Sequence, residues 1–88
     1  MKYNLYGVRD IKSNMFWQPQ MDTNDETAKR GFAMMINGSD LRSITGFAPG
    51  DFDLYKLGTF DSETGECTAI KPIEYIINGR AVLEVKDA

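Results

Sequence analysis

The sequence predicts an α+β domain: a small antiparallel or mixed β-sheet of about four strands with one α-helix packed on a face. Three observations carry this expectation. The chain opens on an alternating aromatic and apolar run over residues 2–8 or 2–9. An amphipathic helix with a capping signal begins near residue 24. Residues 54–68 then have the composition of a β-hairpin. The order β–α–β–β, with one or two further strands, favours a sheet with a helix on one side. A small OB-like barrel is the alternative, placed second by the early helix and the few strands.

In the first strand Tyr3, Leu5 and Gly7 point one way, and Asn4, Tyr6 and Val8 the other. Both sets are partly apolar, so this strand is expected to be central and covered at least partly on each side. Residues 10–15 form a polar connection. Phe16 and Trp17 restore apolar character, and Pro19 prevents a clean central strand. Thr23, Asn24, Asp25 and Glu26 match a capping box, in which the Thr23 hydroxyl accepts from the Glu26 amide while the Glu26 side chain reaches back. The helix then presents Ala28, Phe32, Met35 and Ile36 on one face, with Glu26 and Arg30 as an i,i+4 pair on another. Asn37-Gly38 is expected to end it in a left-handed conformation. Gly31 weakens the helix by about 1 kcal/mol relative to alanine; a close backbone contact with the sheet would explain it.

Ser39-Asp40 can open a short helical turn through Leu41 and Ile44, and Pro49-Gly50 is a turn signal. In the hairpin, residues 54–60 and 66–70 pair across a type I turn closed by a left-handed residue. Asp61 bonds backbone amides ahead of it, and Gly65 takes positive φ without a Cβ clash. A calcium loop is the other reading of this acidic turn, but its bidentate glutamate must lie further downstream than this spacing permits. After Pro72, the apolar residues 73–77 lead to Asn78-Gly79, a favoured two-residue hairpin turn. Residues 81–85 are then a short returning or edge strand, or else 81–88 form a loose tail.

Eighty-eight residues, 42% of them hydrophobic, fit a single domain over residues 1–88 with no room for a second core. Cys67 is the sole cysteine, which excludes an intrachain disulfide; on a strand, a reducing cytoplasm and a small packing role suit it. Histidine is absent, removing the commonest general base and zinc ligand, so no catalytic group, metal or cofactor is expected. No apolar run approaches the length of a membrane span, and the first residues lack the apolar core of a signal peptide; a cytoplasmic, soluble chain is expected. A net charge of −3 argues against a strong nonspecific grip on phosphates, though a local basic face can sit on an acidic body.

The candidate constellation is aromatic and basic. Tyr3, Tyr6, Arg9, Lys12, Phe16 and Trp17 fall within the first seventeen residues, where Lys2, Arg9 and Lys12 oppose only Asp10. Rings on a sheet, interleaved with cations, bind single-stranded nucleic acid by stacking bases while the cations hold phosphates. The plainer alternative is that the rings are core and rim packing and the cations are solvated. Asp51, Asp53, Asp61, Glu63 and Glu66 suggest an opposing acidic patch. Paired carboxylates can serve acid–base chemistry, but here they occupy turns with no nucleophile beside them.

Residues 1–10 (Met-Lys-Tyr-Asn-Leu-Tyr-Gly-Val-Arg-Asp), 24–32 (Asn-Asp-Glu-Thr-Ala-Lys-Arg-Gly-Phe), 55–61 (Tyr-Lys-Leu-Gly-Thr-Phe-Asp) and Thr64-Gly65 carry a resemblance. Over most of its length, to about Pro72 and in the same order, the chain resembles the small nonstructural protein of microviruses, especially gokushoviruses. The resemblance implies a phage protein made in the host bacterial cytoplasm and absent from the virion, acting in single-stranded DNA synthesis or packaging. It brings no catalytic residues, and no phosphate-binding loop is present in the sequence. Two functions follow as expectations. One is a homodimer that binds single-stranded DNA weakly, with Tyr3, Tyr6, Phe16 and Trp17 stacking bases and Arg9, Lys12, Lys29 and Arg30 on phosphates. The other is a protein-interaction module for a phage replication protein, a procapsid or a host factor. An enzyme is not expected.

Overall fold

The computed structural model describes residues 1–38 and 48–83. Its architecture is an open antiparallel sheet with one main helix laid across a single face, and no barrel closes. The strands are β1 (Lys2–Asp10), β2 (Met15–Phe16), β3 (Gln20–Asp22), β4 (Phe52–Asp61) and β5 (Cys67–Asn78). The helices are α1 (Asp25–Asn37) and a single turn, α2 (Gly79–Val82). Strand order is β2-β1-β4-β5, with β3 also pairing with β1, which makes five strands rather than the expected four. Pro19 accounts for the extra one. It interrupts the return segment, which pairs with β1 once as β2 and again as β3.

Alternation along β1 separates the two faces as the sequence predicts. Tyr6 and Val8 face α1 and meet Leu54, Phe52, Ile76 and Ile77; Ala28, Phe32 and Ile36 close the core from the helix side. Phe52 and Ile36 are fully buried. The Tyr6 hydroxyl ties the helix start to the sheet: it donates to Asp25 Oδ1 at 2.5 Å and accepts from Asn4 Nδ2 at 3.1 Å. Lys56 Nζ stands 3.7 Å from the same Asp25 oxygen.

The helix boundaries differ from the expectation by one residue, and the chemistry of the cap differs with them. Asn24, not Thr23, is the N-cap; its side-chain oxygen accepts from the Thr27 amide at 2.9 Å. Glu26 pairs with Lys29 at 3.3 Å instead of with Arg30. Gly38 ends the helix in an extended conformation, φ −69° and ψ 131°, not a left-handed one. Gly31 has no close sheet contact, since a Cβ placed there would meet nothing within 4 Å. The short helix expected after Ser39 lies outside the described residues.

The hairpin is longer than its sequence signal. Its turn behaves as predicted: Gly65 has φ 76°, its amide donates to Asp61 O at 2.7 Å, and Asp61 Oδ1 accepts from the Glu63 amide at 2.9 Å. Pro72 does not end β5, which runs on to Asn78; residues 70–73 lie opposite the single residue Leu57 in a wide register shift. Cys67 is exposed at the start of this strand and is not a packing residue. Asn78-Gly79 is not a hairpin turn. Asn78 caps α2 by accepting from the Arg80 amide, while its Nδ2 donates to Asp53 Oδ1 at 2.7 Å, so the expected returning strand gives way to helix at residues 79–82. Beyond Leu83 that expectation lies outside the described residues.

Candidate nucleic-acid interface

The face of the sheet turned away from α1 is built by the odd residues of β1 and their cross-strand partners. Register places Tyr3 opposite Phe60, Leu5 opposite Gly58, Gly7 opposite Tyr55, and Arg9 between Phe16 and Asp53. Tyr55 in turn faces Tyr75 on β5. The result is a strip of rings across three strands: Phe16 and Tyr55 have centroids 5.7 Å apart and Tyr55 and Tyr75 5.8 Å apart, both pairs edge to face. Gly7 makes this possible. A Cβ on it would stand 2.7 Å from Leu57 Cδ1 and 3.3 Å from Phe16 Cδ1, so its missing side chain lets Leu57 and Phe16 lie over the strand. Phe16 remains 40% exposed and Tyr75 54%. The rings are thus packed against one another from the side while keeping surface open to solvent.

The eight residues expected to form a DNA site do not lie together. Arg9 and Phe16 are neighbours on the bare face, where the Arg9 guanidinium donates to Asn14 Oδ1. Tyr3 is half-buried at the far end of the same face, with its hydroxyl 3.3 Å from the Met1 sulfur. Lys12 is in the β1–β2 turn, 3.6 Å from Asp51 Oδ2. Tyr6 is corrected outright: only 3% exposed, it is a core residue and cannot stack a base. Burial first, and then its bond to Asp25, push its phenol up to about 12. Trp17 alternates to the helix side and packs its ring on Phe52 at 5.2 Å. Lys29 and Arg30 ride on α1, across the sheet from Arg9 and Phe16. The position of a residue in the sequence grouped these side chains; the pleat and the helix divide them.

Two members of the ring strip were missed by sequence reasoning, Tyr55 and Tyr75. Their signal is the alternation of Asp53, Tyr55 and Leu57 against Phe52, Leu54 and Lys56, which becomes readable once the register with β1 is known. The expected acidic patch also separates. Asp51 just before β4 and Asp53 at its start are engaged with Lys12 and Asn78, whereas Asp61, Glu63 and Glu66 gather at the hairpin tip, about 25 Å away along the strand. Among the described residues no group of three His, Cys, Asp or Glu side chains is placed to hold a metal. No helix among them is long and apolar enough to cross a membrane.

Fold and face together define a small open-faced α+β domain, with one side of its sheet sealed by a helix and the other lined with exposed rings. A family model described as Phage ORF5 protein matches residues 3–82, nearly the whole chain, and the chain belongs to that family; it is a phage protein. Comparison with curated proteins gave no match, and comparison with solved structures gave none.

Proposed function

We propose that the chain is a non-enzymatic, single-stranded-DNA-binding protein whose bare sheet face is the binding surface. The observation that carries this reading is the strip Phe16–Tyr55–Tyr75, three partly exposed rings on a sheet face that no other described element covers, with Arg9 beside Phe16. Such a platform stacks bases without regard to sequence, and Arg9 with Lys12 supplies charge for the backbone. The phage family and the resemblance to microvirus nonstructural proteins support a role in single-stranded genome synthesis or packaging in the host cytoplasm. The net charge of −3 makes the grip weak and its salt slope shallow. A homodimer would compensate, because two linked faces raise effective concentration without new contacts. Fluorescence anisotropy with a labelled oligonucleotide at low and moderate salt tests the reading, with solution mass measured in parallel. Absence of binding at tens of micromolar protein in low salt would overturn it.

A second reading has its own support. Arg9 is engaged by Asn14 and Lys12 by Asp51, so the bare face is more apolar than cationic. A protein partner, such as a replication protein, procapsid or host factor, would suit that balance. Recovery of one protein partner from infected cells, lost on substituting Tyr55 and Tyr75, distinguishes it from DNA binding.

A further inference from the structure

On the opposite side of the molecule, a groove of about 230 Å³ opens between α1 and the segment that carries β2 and β3. Its floor is the core itself, including Phe32 and Leu54, and its rim carries Trp17, Gln18, Gln20 and Asp22. We propose that this groove takes a single unstacked nucleobase bearing an exocyclic amine, as adenine, cytosine and guanine do, in preference to thymine, which has none. The source of that base, a DNA strand, rests on the reading above; the groove chemistry does not.

Three features carry the inference. First, Gly31 sits on the groove wall in mid-helix, where alanine would be favoured and where a Cβ would meet nothing within 4 Å. Packing within the described residues therefore does not demand a glycine, and its missing side chain leaves the groove open. Second, the side-chain amides of Gln18 and Gln20 are exposed and make no hydrogen bond to another described residue. An amide offers a donor and an acceptor side by side, the pattern that pairs with the edge of adenine. Third, half-buried Asp22 lines the same groove, and only its Oδ1 is engaged, by the Thr23 amide at 2.8 Å. A carboxylate accepts from an amine and repels the carbonyl that thymine presents in its place. An apolar floor for the face of a ring and polar groups for its edge are the requirements for holding a base out of its stack.

The test uses the full chain and reads the Trp17 indole and Gly31 amide resonances by NMR. Titration with deoxyadenosine or deoxycytidine, which carry no phosphate, should shift both resonances saturably, and thymidine should bind at least fivefold more weakly. Gly31→Leu should fill the groove and weaken nucleoside binding tenfold or more. Gly31→Ala should raise the thermal midpoint by a few degrees through helix propensity, which shows that loss of binding in Gly31→Leu is not a loss of folding caused by replacing the glycine. No shift with any nucleoside, or equal binding by Gly31→Leu, would overturn the proposal. An oligonucleotide separates it from the sheet-face reading. If the oligonucleotide binds while nucleosides leave Trp17 unmoved, the groove proposal falls and the ring platform stands. If nucleosides bind and the oligonucleotide does not, the groove serves free nucleosides and the DNA reading falls.

Discussion

The two faces of this sheet are made of similar residues and differ in what covers them. On one side Tyr6, Leu54 and Phe52 are sealed under α1, and even the phenol of Tyr6 is tied down by Asp25 and Asn4. On the other side Phe16, Tyr55 and Tyr75 pack edge to face over the flat ground left by Gly7 and keep surface open to solvent. Aromatic residues therefore do not announce their role by type. A ring whose partners are a helix and a core contributes mainly to stability, and one whose partners are other exposed rings is available to something outside the chain.

The sharpest way to break this comparison is to truncate one ring on each side and measure unfolding in urea. Phe52→Ala removes a fully buried ring and should cost about 3–5 kcal/mol, a large share of the stability of a domain this small. Tyr55→Ala should cost less, about 1–3 kcal/mol, from the two edge-to-face contacts it makes with Phe16 and Tyr75. Equal costs would mean that the bare face is a second core.

A smaller effect reads the sealed face by pH. The Tyr6 phenol is raised from 10.0 to about 12, so the folded protein holds a proton that the unfolded chain releases. The resulting stability is complete below pH 10 and is lost as pH climbs toward 12, by about 2 kcal/mol. Tyr6→Phe should flatten that alkaline decline. The smallest effect lies in the hairpin turn that both faces share. Gly65→Ala meets no steric contact but must adopt φ 76°, and should cost about 1 kcal/mol by the same urea measurement without altering either face.

Much of the fold was legible because its signals are local. Asp61 and Gly65 specify their turn through their own backbone bonds, and Ala28, Phe32 and Ile36 mark the buried stripe of α1 by spacing alone. The sites were less legible because they depend on register and on which face the helix takes. Tyr3, Tyr6, Arg9 and Lys12 are close in sequence, yet alternation sends Tyr6 into the core while Arg9 joins Phe16 outside. Tyr55 and Tyr75 come from strands about twenty residues apart and meet only through pairing. Asn78-Gly79 misled for a similar reason: the dipeptide favours a hairpin locally, but Asn78 is claimed by Asp53 and the Arg80 amide.

The claim that the bare face is the working face is tested most directly by oligonucleotide anisotropy at low salt on the combined variant Phe16→Ala, Tyr55→Ala and Tyr75→Ala, checked first for retained folding. Each stacking ring is worth about 1–3 kcal/mol, so affinity should fall at least a hundredfold. A folded triple variant that binds DNA undiminished would contradict it.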